Sequence, residues 1–233
     1  MNNMVLILVL GLSGVGKSFV CSKAVKILKG NKKSFETRKN SKNIWRKQKL
    51  LVFGATETAV SAGVKNLGRF FHIVNYGNII EEITKKDRDL FRQTNTKKQF
   101  SSIQLKAAKK IVKDYKNKYI LLISHAIMDA NYGFVFGAPP KVLKVLNPDL
   151  ILVLWADPKK IYDHVKKDKS SGDRKFRENL NLEHIKLMQE LEKSVSITYG
   201  FANDCPVKFV ENIEGKADET AREIANTVLE VVR

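Results

Sequence analysis

The chain holds two cysteines, Cys21 and Cys205, among 233 residues. So sparse and distant a pair supports neither a disulfide framework nor a metal-binding spacing. Nothing in it calls for an oxidising compartment, so the cytoplasm is the expected location. Long hydrophobic runs are missing too: no apolar stretch has the length needed to span a bilayer, and no membrane association is expected. The short run from Met4 to Leu10 lacks the basic start and small-residue cleavage site of a signal peptide, and reads as a core strand. There is no internal repeat and no Gly/Ser-rich linker. Acidic residues are scarce, 24 Asp and Glu against 42 Lys and Arg, which leaves a net charge of +18. That excess draws anionic partners such as nucleotides, RNA or a membrane surface, and does not choose among them.

What is present suffices for one large core, since 43% of the residues are hydrophobic. Three apolar, β-branched runs read as buried parallel strands: Val5–Leu10, Tyr119–Ser124 and Leu150–Leu154. Phe70–Val74 and Val207–Val210 are weaker strands. Between them, apolar residues at three- and four-residue spacing predict helices over Phe19–Leu28, Ile79–Lys85, Lys97–Asp114, Pro139–Val145, Lys159–Lys166, His184–Tyr199 and Asp218–Val232. The alternation predicts a single α/β domain over residues 1–233, a three-layer fold with a parallel sheet flanked by helices on both faces. A basic stretch from Lys29 to Lys49, containing Phe35 and Trp45, breaks the pattern. With a possible strand at Leu50–Gly54 and a helix-like stretch at Thr56–Leu67, it reads as an insertion over about 29–69.

The chemistry begins at Gly11-Leu12-Ser13-Gly14-Val15-Gly16-Lys17-Ser18, between an apolar strand and a helix. Its glycines permit a tight turn whose N–H groups converge on phosphate oxygens, and the helix presents its positive end to them. Lys17 is expected to bridge the β- and γ-phosphates of ATP or GTP, and Ser18 to place its hydroxyl on Mg²⁺. The context makes this a phosphate loop of the P-loop NTPase fold. Farther on, Lys166, Lys167, Lys169, Arg174, Lys175 and Arg177 surround Ser170-Ser171-Gly172. The composition of about 166–180 suits a short mobile lid over nucleotide, or else a solvated charged loop.

Further motifs follow in a recognisable order. They are Val74-Asn75-Tyr76-Gly77, Asp87-Arg88-Asp89 with Arg92, Ser124-His125, Gly133-Phe134-Val135-Phe136-Gly137-Ala138-Pro139, Leu146-Asn147-Pro148-Asp149, and Gln189 with Tyr199-Gly200. In that order the chain resembles the archaeal-type adenylate kinases, over its first 28 residues and again from about Phe70 to the end. The resemblance implies phosphoryl transfer from ATP to AMP with Mg²⁺. It places Asn75, Tyr76 and Gly77 along the AMP pocket, Arg88 and Arg92 on the AMP phosphate, and His125 with Phe136 and Gly137 closing the pocket. It gives Arg177, with Lys175 where the family has another lid arginine, the transferring phosphoryl group. The backbone near Asn212 would flank the ATP adenine. The family also implies a homo-oligomer, often a trimer. From packing alone, one of Phe134 and Phe136 is expected in the core, and Lys17 is expected in an open, solvated loop.

Departures from the family pattern matter as well. Ile123 stands where the family has an acidic residue that helps hold Mg²⁺, and Asp157 is the nearest substitute. His164 and Val165 replace paired arginines before a lid that is a few residues longer. The competing expectation is an adenylate-kinase-like ATPase associated with RNA or ribosomes. It rests on the +18 charge and on the aromatics within the basic insertion, a combination that suits phosphate contacts and base stacking.

Overall fold

Leu6 to Leu10 have no solvent exposure at all, because this run forms the middle strand of a sheet covered on both faces. The computed structural model describes residues 4–30, 71–86, 97–130, 133–170 and 181–232. In chain order these form β1 (Val5–Leu10), α1 (Lys17–Gly30), β2 (Phe71–Asn75), α2 (Tyr76–Thr84), α3 (Lys97–Asp114), β3 (Tyr119–Ile123), β4 (Ile127–Ala130), β5 (Gly133–Phe136), α4 (Pro140–Leu146), β6 (Leu150–Trp155), α5 (Pro158–Ser170), α6 (Leu182–Asn203), β7 (Val207–Glu211) and α7 (Ala217–Val231). The insertion beyond Gly30, with its possible strand at Leu50–Gly54 and helix at Thr56–Leu67, lies outside the described residues, as do residues 171–180 of the lid.

Five strands pair in parallel in the order β2-β3-β1-β6-β7. Side chains alternate across a strand, so β1 feeds two cores. Ile7 and Val9 pack with Val20, Ala24 and Leu28 of α1 and with Ile224 and Val228 of α7. Leu6, Leu8 and Leu10 pack on the other face with Ile80 of α2, Ile111 of α3 and Leu143 and Leu146 of α4. Two buried clusters on one sheet make the three layers that the strand–helix alternation predicts. Each such aliphatic side chain contributes roughly 1.5–3 kcal/mol on burial.

The chain runs from β1 outward to β2, returns to β3, then crosses to β6 and β7 on the other side of β1. The direction of winding therefore reverses at β1, and ligands in such sheets bind beyond the carboxyl ends of the strands at that reversal. A second, two-stranded antiparallel sheet, β4–β5, follows β3. The sequence reading takes this segment as loop. Helix α5 continues to Ser170, four residues past its predicted end at Lys166, so the first part of the expected lid is helical. Among the described residues, no helix is long and apolar enough to cross a membrane.

Candidate functional site

All five strands of the main sheet end on a residue, or run into a loop, that the sequence singles out. Gly11 follows β1, Asn75 closes β2, Ser124-His125 follows β3, Asp157 follows β6, and Asn212 follows β7. The ladder is prolonged into this rim: Ser124 N donates to Val9 O at 2.9 Å, and Asn212 N to Trp155 O at 2.8 Å.

The phosphate loop needs its glycines for different reasons. Gly14 and Gly16 have φ of 86° and 88°, in the left-handed region. Gly11 has φ of 142°, and a Cβ there would strike the carbonyl oxygen of Leu154. A Cβ on Gly16 would come within 2.6 Å of Asn212 Nδ2. That amide donates to Val15 O at 2.9 Å, while Asn212 Oδ1 is buried with no hydrogen-bond partner among the described residues. Asn212 thus brings a side chain, and not only backbone, against the loop. Helix α5 meets the loop's tip: His164 Nδ1 lies 3.1 Å from Gly14 O, and Val165 packs where a Gly14 side chain would be.

Lys17 departs from expectation. It is only 7% exposed, with Nζ donating to Gly11 O at 2.5 Å and to Leu12 O at 2.9 Å. The ammonium is folded back onto the loop because buried donors need acceptors and these two carbonyls are in reach. Ser18, one residue on, is exposed in the first turn of α1.

Sequence reasoning missed the carboxylate beneath the loop. Glu192 of α6 is 2% exposed. Its Oε1 accepts from Gly11 N at 2.7 Å and Ala126 N at 2.8 Å, and its Oε2 from Ile127 N at 3.1 Å. Burial pushes its carboxyl above the ordinary range, while the three N–H donors and the charge of Lys17 pull it back. Glu192 belongs to a polar stripe on an otherwise apolar helix face. Gln189 bonds both the N–H and the carbonyl of Ala156, and Tyr199 donates to Ala126 O and accepts from Ala138 N. The positions 189, 192, 196 and 199, all buried and polar, were the available signal.

On the β2 side, Asn75 caps α2 by accepting from Gly77 N at 3.0 Å. Tyr76 is a core residue, not an open pocket wall: it is 4% exposed, and its hydroxyl donates to Gln104 O at 2.6 Å. Gln104 Nε2 in turn donates to Phe136 O and Gly137 O, which pins the base of the β4–β5 hairpin. Gly137 N donates to Ala126 O, and a Cβ on Gly137 would run into the carbonyl of His125, which is itself half-buried. Phe134 and Phe136 are both exposed, at 47% and 52%, so neither fills the core as packing alone suggested. A two-stranded sheet has too little width to bury both faces.

Asp157 is exposed, and its Oδ1 accepts from Lys159 N and Lys160 N, so it caps α5. Ile123, in the expected acidic position, is 4% exposed and hydrophobically packed. Among the described residues no three His, Cys, Asp or Glu side chains gather as a metal-ion cluster. Arg88, Arg92, Lys175 and Arg177 lie outside the described residues.

A family model described as an AAA domain matches residues 56–186. That range leaves out the phosphate loop, whose reading rests on its own motif and geometry. The chain is 33% identical over 156 residues to the adenylate kinase of Pyrococcus horikoshii, covering 65% of this chain and 77% of that one. It is 32% identical over 181 residues to the adenylate kinase of Methanopyrus kandleri, covering 75% and 92%. Among solved structures, shikimate kinase from Acinetobacter baumannii, in complex with shikimate, superposes with a TM-score of 0.57 over 98% of this chain and 95% of that one, at 12% identity. Shikimate kinase from Bacteroides thetaiotaomicron gives 0.51 over 96% and 98%, also at 12%. At such identity these two structures speak for the fold alone.

Proposed function

The chain belongs to the adenylate kinase family of P-loop phosphotransferases, and on that premise we propose that it transfers the γ-phosphoryl group of ATP to AMP, yielding two ADP. The observation that carries this reading is the meeting at one rim of the phosphate loop and the acceptor-side segments, Asn75 at the end of β2 and His125 after β3. Two phosphorylated substrates can then lie end to end across β1.

In this reading the loop N–H groups of residues 11–18 and the start of α1 cradle the ATP phosphates. Lys17 leaves the Gly11 and Leu12 carbonyls and bridges the β- and γ-phosphates. An oxygen of the AMP phosphate attacks the γ-phosphorus, and the bond to the β–γ bridging oxygen breaks. The nucleophile is already an anion, so positioning and charge neutralisation dominate over base catalysis. Arg88 and Arg92 hold the AMP phosphate through charge-assisted hydrogen bonds. His125, Phe136, Gly137, Asn75 and Gly77 shape the acceptor side, with Tyr76 and Gln104 behind them. Lys175 and Arg177 neutralise the moving phosphoryl group, and Asn212 flanks the adenine side of the loop.

The donors fit a Mg²⁺ carried in on the nucleotide and not one held in a protein cage. Ser18 offers a hydroxyl in an exposed turn, and Asp157, exposed and capping α5 through Oδ1, offers its carboxylate, whereas Ile123 offers nothing. When bound, Mg²⁺ neutralises charge on the β- and γ-phosphates. The test is a coupled assay of ATP and Mg²⁺ with AMP, CMP, UMP, dTMP and GMP. AMP is expected to give the highest kcat/KM, and a different best acceptor overturns the assignment.

A further inference from the structure

One oxygen of Glu192 serves both halves of the rim. Its Oε1 accepts from Gly11 N, the first residue of the phosphate loop, and from Ala126 N, next to His125 on the acceptor side. Its Oε2 accepts from Ile127 N at the start of the hairpin. These partners are 181, 66 and 65 residues away in sequence and share no other side chain among the hydrogen bonds described. The carboxylate is fixed from below as well, because it projects from α6, whose following turns are tied to the same loop by Tyr199 donating to Ala126 O.

We propose that Glu192 is a positioning residue that couples the two substrate sites, so that nucleotide on the phosphate loop tightens the acceptor site. The inference rests on the acceptor side being formed by the His125 loop, as read above. The sign of the coupling follows from order. Phosphates held by the loop's N–H groups fix Gly11, and with it the Glu192 oxygen that Gly11 N and Ala126 N share. The same carboxylate holds Ile127 N, so the loop carrying His125 and the base of the hairpin are fixed together with the phosphate loop. Order acquired at the ATP side need not be acquired again when the acceptor arrives. By linkage the acceptor must strengthen ATP binding by the same factor.

The feature also bears on Ile123. With Ile123 leaving the end of β3 without a carboxylate, α6 supplies one at the same rim, but facing backbone and not solvent.

The test measures AMP binding by calorimetry with and without a saturating non-hydrolysable ATP analogue and Mg²⁺, in the full chain and in Glu192→Gln. The unaltered chain is expected to bind AMP at least about fivefold more tightly when the analogue is present, within the range usual for coupled sites. In Glu192→Gln the coupling factor, the ratio of AMP affinities with and without the analogue, should fall to within about twofold of one. Unchanged coupling in the variant overturns the proposal. Should the variant fail to fold, amide exchange in the unaltered chain decides: the analogue alone must slow exchange at Ala126 and Ile127, and no slowing overturns the proposal. If another monophosphate proves to be the acceptor, the AMP assignment fails, and the coupling is then measured with that monophosphate against the same criteria.

Discussion

His164 Nδ1 lies 3.1 Å from the carbonyl oxygen of Gly14, joining α5 to the tip of the phosphate loop across 150 residues. A carbonyl only accepts, so Nδ1 carries the hydrogen. The loop is thereby held from outside by an imidazole in the middle of the helix that leads toward the lid. His164→Ala should raise the KM for ATP about two- to tenfold, the worth of one modest hydrogen bond, and leave the KM for AMP nearly unchanged. Steady-state kinetics with each substrate varied in turn checks this, and equal changes in both KM values would place the effect elsewhere.

Gly137 has no room for a methyl group, because the carbonyl of His125 occupies the position a Cβ would take. The obstacle is backbone, so relief requires the hairpin or the loop after β3 to shift. Gly137→Ala should cost at least about 1–3 kcal/mol of stability, read by urea denaturation. The folded fraction should lose affinity for AMP more than for ATP. A variant as stable as the parent would show that the hairpin base yields freely.

Lys17→Ala should abolish turnover, and the burial of Lys17 adds a stability effect that an open loop would not show. Glu192 keeps three N–H donors but loses a nearby positive charge, at an expected cost of roughly 1–3 kcal/mol. Burial raises the Glu192 pKa. Between the unfolded and folded values, the folded protein retains a proton that the unfolded chain has released, so stability falls as pH rises through that window. Removing Lys17 raises the folded value further and widens the window upward. The double variant Lys17→Ala, Glu192→Gln should lose less than the sum of the two single variants and show no such slope. Denaturation midpoints at several pH values test the sign, and additive losses would deny the coupling.

The chain leaves the described fold at Gly30 and re-enters it at Phe71. Helix α1 has 14 residues, about 21 Å at roughly 1.5 Å per residue, and carries the chain back from the phosphate loop to the end of the sheet where β2 begins. Deleting residues 31–49 with a short rejoining loop should leave ATP–AMP turnover within about twofold. Any RNA affinity should fall, together with its salt dependence. A trimmed protein with normal circular dichroism but no turnover would bring this segment into the active site.

The main sheet was legible because each strand is a local apolar run: β1 and α3 have their predicted bounds, and the other described elements outside the β4–β5 hairpin shift by a few residues. The glycines of the phosphate loop were legible for the same reason, since a turn is a local demand. The β4–β5 hairpin was not, because its eight described positions alternate weakly and leave Phe134 and Phe136 in solvent. Glu192 was hidden for a different cause. On a 22-residue helix with several charges, a glutamate reads as solvated, and only N–H donors from two distant loops make its burial tolerable. Lys17 was misread likewise, since its acceptors are carbonyls of a loop whose path the motif alone does not trace.

The central claim is that ATP's γ-phosphoryl group ends on a monophosphate and not on water. The most direct measurement incubates the chain with Mg²⁺ and limiting AMP in excess ATP, and follows AMP, ADP and inorganic phosphate together. The account predicts two ADP formed per AMP consumed, no ADP without AMP, and negligible inorganic phosphate. ADP and inorganic phosphate released in equal amounts, at a rate indifferent to AMP, would contradict it and make the chain an ATPase.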